Sequence, residues 1–164
     1  MRPDIDLSAG ASAQPGARAI ARLLAWAPGR WVALPPHTTL EVIERPQPVA
    51  VPGAPRHALG LLAWQRQWLP MIDLRALLEN GAPASTRPPY ALIVAWQPAP
   101  GARVAHGALA LDALPETVSV EDRAACPLPQ DDGIEWTGRA LACFSHAGRP
   151  VPILDTGSLL NASQ

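Results

Sequence analysis

A nine-residue phrase that occurs twice constrains the fold of this chain more than any other feature. Pro70-Met71-Ile72-Asp73-Leu74-Arg75-Ala76-Leu77-Leu78 returns as Pro152-Ile153-Leu154-Asp155-Thr156-Gly157-Ser158-Leu159-Leu160, at an offset of 82 residues in a chain of 164. Two related half-domains are the simplest organisation with that offset. In each copy a proline and two large apolar residues lead into an aspartate and then a Leu-Leu pair, the pattern of a strand entering a short helix that the aspartate caps. Asp73 and Asp155 are therefore expected as N-caps used twice. Reading them as the paired carboxylates of a hydrolase leaves the accompanying Leu-Leu pairs unexplained. A duplicated scaffold directs the search for function toward binding surfaces.

The segments around the phrase read as short strands. Ile20, Leu23, Leu24 and Trp26 precede the turn signal Ala27-Pro28-Gly29, and Trp31-Val32-Ala33-Leu34 follows it, which predicts a hairpin. His37 to Glu44 fits a short helix or an irregular strand. Prolines at 46, 48, 52 and 55 exclude regular structure between Arg45 and Pro55. Ala58 to Trp64 and Gln67 to Ile72 form a second hairpin around Gln65-Arg66. The stretch from Gly81 to Pro89 is the best internal boundary. Beyond it lie strand patterns at Tyr90 to Trp96, Val104 to Leu114, Arg139 to Phe144 and Val151 to Leu154. Short strands at short intervals with Gly/Pro turns predict small barrels rather than a βαβ sheet.

Apolar residues make up 48% of the chain and charged ones 16%, so a single domain of this length can bury a core without metals or disulfides. Apolar runs are interrupted every few positions, and none reaches the roughly 18 residues of a membrane span. Residues 1–17 are small, polar and Pro/Gly-bearing, which predicts a flexible tail ahead of one domain over 18–164, its subdomains intertwined and its approximate halves divided near 81–89. The tail lacks the pattern of a signal peptide, and Cys126 and Cys143 are expected as free thiols in the cytoplasm.

Chemistry has few footholds here. The four histidines, His37, His57, His106 and His146, have no second His or Cys at ligand spacing, so no metal site is expected. Ser145 and His146 are strand neighbours that point to opposite faces, which disfavours a nucleophile and base. Without a glycine-rich phosphate loop, no nucleotide or other cofactor is expected. A nucleic-acid-binding small barrel is the alternative reading, because such barrels present aromatics. Against it, net charge is −1 and the 13 basic residues are scattered arginines with no basic stripe. Of the six tryptophans, most are expected in the core. Trp64 and Trp68, which flank Gln65-Arg66, are candidates for an exposed hairpin edge.

Over residues 20 to 161 the chain resembles the CheW-like domain, the adaptor module of bacterial chemosensory arrays. Leu23 to Pro35 matches an opening hairpin that ends in Ala33-Leu34-Pro35, and Glu41-Val42 stands where the family carries a Glu-Val or Glu-Ile pair. Gly60-Leu61-Leu62 and then Trp68-Leu69-Pro70-Met71-Ile72-Asp73-Leu74-Arg75 match the family's most specific strand. Leu111-Asp112-Ala113-Leu114 and the stretch from Val151 to Leu160 complete the order. The chain departs from the family at the hairpin tip, where the usual Arg-Gly pair reads Gln65-Arg66, and at Ala108, where a glycine often stands.

The resemblance implies a mostly β fold of two small five-stranded SH3-like barrels with a few helical turns, packed on a shared apolar seam, one barrel from each half of the chain. It implies a non-catalytic scaffold that couples the cytoplasmic tip of a chemoreceptor to the regulatory domain of a CheA-type histidine kinase. The expected setting is cytoplasmic, peripheral to membrane receptor arrays, without insertion in the membrane or contact with nucleic acid. The departures fit a divergent pathway, such as one governing type IV pili and twitching motility. Carried over by position, the partner-binding candidates are Glu41, Val42, Gln65, Arg66, Leu111 and Asp112.

Overall fold

The computed structural model describes residues 16–130 and 132–161. Residues 1–15 of the expected tail lie outside them. The hairpin expected at the start is β1 (Arg18–Ala27) and β2 (Arg30–Leu34), joined at Pro28-Gly29. A 3-10 turn over Pro36–Thr38 then leads into β3 (Thr39–Glu44), which resolves the ambiguous segment as both possibilities in succession. Next come β4 (Ala58–Trp64), β5 (Gln67–Asp73) and α1 (Leu74–Leu78), followed by β6 (Tyr90–Trp96) and β7 (Ala105–Leu111). The chain closes with β8 (Glu116–Glu121), a 3-10 turn over Asp122–Ala124, β9 (Ala140–His146), β10 (Arg149–Leu154) and α2 (Thr156–Asn161).

Two five-stranded sheets result, ordered β8-β1-β2-β10-β9 and β3-β6-β7-β5-β4. The expectation of one barrel from each half of the chain is corrected here. The second sheet is built from the contiguous middle of the chain, whereas the first takes its hairpin from the N-terminus and its other three strands from the C-terminus. The tie is a parallel pairing of β10 with β2 through Ile153 and Ala33, matched in the second sheet by β5 with β7. Gly81 to Pro89 is thus a loop between α1 and β6 within the second sheet's unit.

The repeated phrase is β5–α1 in one sheet and β10–α2 in the other, and its backbone surroundings repeat as well. The Asp73 N–H donates to the His57 carbonyl at 2.9 Å, and the Asp155 N–H to the Arg139 carbonyl at 2.8 Å. Both aspartates cap. Asp73 Oδ1 accepts from the Ala76 N–H at 2.7 Å, and Asp155 Oδ1 from the Gly157 N–H at 3.2 Å, satisfying amides that a helix start leaves open. Each carboxylate is thereby bound to its own helix.

Strand alternation distributes the apolar residues among three cores. Leu69, Met71, Ala91, Ile93, Ala108 and Ala110 fill one barrel, while Ala21, Leu23, Ala33, Phe144 and Val151 fill the other. The intervening positions Leu24, Trp26, Val32 and Leu34 face Leu92, Val94, Trp96, Leu109 and Leu111 across a seam closed by both helices. The central hairpins are buried on both faces, which is why their sequences run almost continuously apolar. The helices cross the seam reciprocally: α1 follows the second sheet but touches β1 of the first, and α2 follows the first but rests on β6 of the second. Gly107 on β7 makes room for α2, since a Cβ there would stand 3.0 Å from a Leu160 methyl.

Candidate functional site

The six sequence candidates fall at four places, and the one that joins the two sheets is a groove of ≈ 310 Å³. It is lined by Glu41 and Val42 of β3, Leu92 of β6, Arg22 of β1, and Leu114-Pro115 in the link before β8. Val42 is half-buried and packs on the seam. Leu40 and Leu114 are 49% and 56% exposed, so the groove has apolar walls open to solvent, with Arg22 and Glu41 as charged edges. Arg22 is itself positioned by a 2.7 Å hydrogen bond to Thr117 Oγ1.

Glu41 also connects this groove to the hairpin tip. Its carboxylate accepts from the Trp64 indole N–H, linking β3 and β4 at opposite edges of the second sheet. The Trp64 ring rests against His106 on β7, centroids 5.1 Å apart. Trp64 leads directly into Gln65 and Arg66, both exposed and both at positive φ, 43° and 64°. A two-residue hairpin with both positions left-handed is a type I′ turn, and it leaves Arg66 exposed at the tip. The matching tip in the first sheet, Ala147-Gly148, has the same handedness at 49° and 74°.

The remaining two candidates lie apart from that groove. Leu111 is 3% exposed and belongs to the seam, so it sets the spacing of the sheets from beneath. Asp112 is exposed and lines a separate depression with Asp73, Arg75 and Glu79. There burial raises the Asp73 carboxyl above its ordinary value, the Ala76 N–H pulls it back, and the Asp112 charge raises it further. Trp64, His106, Leu40 and Leu114 complete the surface and were not among the six partner-binding candidates. Trp64 was visible as a hairpin aromatic, but the Glu41–Trp64–His106 contact exists only once the barrel closes. Of the two flanking tryptophans Trp68 is the exposed one, at 60%.

Four arginines elsewhere are drawn into ion pairs with carboxylates: Arg18 with Glu121, Arg30 with Asp132, Arg75 with Glu79 and Arg123 with Glu121. Among the described residues no group of three or more His, Cys, Asp and Glu is placed to hold a metal ion, and no helix is long and apolar enough to cross a membrane.

A family model, CheW-like domain, matches residues 23–164. Among solved structures the chain is similar to the scaffolding protein TtCheW from Thermoanaerobacter tengcongensis, with a TM-score of 0.66 at 17% identity, over 89% of this chain and 92% of that one. Likeness at that identity speaks for the fold. Among curated proteins none matches.

Proposed function

The chain belongs to the CheW-like domain family, and from that premise we propose that it is a non-catalytic adaptor coupling a chemoreceptor to a CheA-type histidine kinase. The observation that carries this reading is the groove between the barrels, which joins exposed Leu40 and Leu114 to the charged edges Arg22 and Glu41. Its shape and chemistry suit the apolar stripe and polar flanks of a receptor's helical hairpin tip. The similar solved structure is that of a scaffolding protein, which agrees in kind.

The second surface is the tip Gln65-Arg66, with Trp68 beside it, and it takes the regulatory domain of the kinase. Leu111 acts from within by fixing the seam, and Asp112 belongs to the rim of the link that carries Leu114. Coupling then needs no reaction: holding both partners on one rigid body lets the state of the receptor bias that of the kinase. The setting is the cytoplasm at receptor arrays, and the departures at Gln65-Arg66 and Ala108 suit an alternative pathway such as type IV pilus motility.

A pull-down with the purified kinase regulatory domain and a receptor signalling tip tests this. Wild type should retain both. Glu41→Ala should lose the tip at least 10-fold with the kinase domain kept, and Arg66→Ala should do the reverse. If wild type retains neither partner, the adaptor reading fails.

A further inference from the structure

Cys126 and Cys143 belong to neither surface above, yet the fold sets them against each other. After β8 the chain returns along β9, the edge strand of the first sheet, where Ala125 bridges to Phe144 and the Cys126 N–H donates to the Cys143 carbonyl at 3.0 Å. The two residues therefore stand opposite one another across an antiparallel pair. That pairing places Cα atoms about 4.5–5.5 Å apart, inside the range that a disulfide spans. Both cysteines are free, with sulfurs 3.4 Å apart. Reaching the roughly 2.05 Å of an S–S bond takes side-chain rotation rather than backbone movement.

We propose that this pair is a redox-modification site, closing to an intramolecular disulfide by exchange with a small-molecule disulfide such as oxidised glutathione. The Cys126 thiolate attacks one glutathione sulfur, breaking the glutathione S–S bond and expelling one glutathione thiolate. Cys143 then loses its proton and attacks the Cys126 sulfur, expelling the second glutathione. Two electrons pass to the oxidant and two protons leave the protein.

The order follows from the surroundings. Cys126 is partly exposed, whereas Cys143 is buried. Burial first, and then the neighbouring Cys126 thiol, push the Cys143 thiol up to about 12, so Cys126 is the thiol that meets the oxidant. Capping Cys126 removes the contribution its own thiol makes to that rise, which frees Cys143 to resolve the mixed disulfide.

The resulting bond closes a loop containing Asp132 and Trp136. Asp132 holds Arg30 at 2.5 Å and accepts from the Trp136 indole at 2.9 Å, and Arg30 lies over the Trp26 ring. Oxidation thus fastens the segment that braces the first hairpin to an edge strand.

The full chain, reduced and then exposed to excess oxidised glutathione, tests the site by thiol alkylation, intact mass and peptide mapping. The expected product is a monomer 2 Da lighter, with both thiols lost, a Cys126–Cys143 peptide and no retained glutathione. Its Tm should be roughly 5–10 °C higher and return on reduction. Cys143→Ala should trap glutathione on Cys126, and the wild-type map decides the case if that variant does not fold. A stable glutathione adduct on the wild type, an intermolecular dimer, or two thiols still free would each overturn the proposal.

Discussion

Gln65 and Arg66 hold backbone angles that side chains resist, φ 43° and 64°, in a turn whose favoured sequence is Asn-Gly. A left-handed residue other than glycine or asparagine costs roughly 1–2 kcal/mol. The double change Gln65→Asn with Arg66→Gly should therefore raise stability by about 1 kcal/mol, read as a higher urea midpoint at unchanged m, and it should abolish the kinase contact proposed for Arg66. A midpoint that stays or falls would show that the turn is not strained. Asp73 carries a different tension. Burial and Asp112 leave its carboxyl above 3.8 in spite of the Ala76 N–H, so the fold favours the neutral form. A raised value means a contribution fully present below the unfolded value and lost as pH rises through the folded one. Asp73→Asn keeps the capping oxygen without the charge. It should match or exceed wild-type stability at pH 7, with the difference shrinking as pH falls toward 4, whereas Asp73→Ala should cost about 1 kcal/mol. Urea titrations at the two pH values separate these outcomes; a loss for the Asn variant at pH 7 would contradict the sign. The tension at Arg66 is readable in the sequence, because the usual glycine of the Arg-Gly tip is replaced by a residue that takes positive φ only at a cost; that at Asp73 is not, because it depends on which loop brings Asp112 alongside.

At the scale of elements, the hairpins were legible wherever their residues are buried on both faces, as in β1–β2 and β6–β7, or are bounded by turn residues, as in β4–β5 and β9–β10. The strand β8 was not read. Its Glu-Thr-Val-Ser-Val-Glu places only Val118 and Val120 on a core, as half-buried rim residues, and an edge strand needs no stronger pattern. Likewise the proline-bearing stretch from Arg45 to Pro55, expected as an irregular connection, also covers an edge. Val49 and Leu61 exchange N–H to carbonyl bonds of 2.8 and 2.9 Å along β4. This close approach explains Gly60, whose φ is +129° and whose Cβ, if present, would lie 2.0 Å from the Val49 carbonyl oxygen. No L side chain fits there without displacing the covering segment. Gly60→Ala should therefore cost more than 3 kcal/mol, beyond the usual range of point changes. Amide exchange should show Val49 and Leu61 losing protection first. A cost below 1 kcal/mol would mean that the covering segment moves freely.

For the whole molecule the repeated phrase turned out to mark a duplication out of phase with the chain ends. The second unit runs β3, β4, β5, α1, β6, β7, and the first runs β8, β9, β10, α2 and then returns to β1, β2. The missing half of the second copy stands at the beginning. Its trace is visible once the order is known: Ala25-Trp26-Ala27-Pro28 of the first hairpin answers Ala95-Trp96-Gln97-Pro98 of the third, and both tryptophans lie in the seam. A comparison of one half with the other misses this pair, since the counterparts come in reverse order. Two chain breaks then have opposite consequences. Cutting between Gly81 and Pro89 parts β3–β5 from β6–β7 and leaves each fragment with strands of two incomplete sheets. Opening the chain at Pro35-Pro36 and joining Gln164 to Met1 instead makes both units contiguous, with the new connection between α2 and β1 in the place that residues 79–89 hold between α1 and β6. The permuted chain should keep the far-UV spectrum and unfold in one transition, its Tm within about 10 °C of wild type, because a longer loop adds only about 0.6 kcal/mol per doubling. The fragments made by the first cut should show no cooperative transition when separate. A permutant that fails to fold, or a fragment that unfolds cooperatively alone, would mean that the order of the strands, and not only their pairing across the seam, holds the two barrels together.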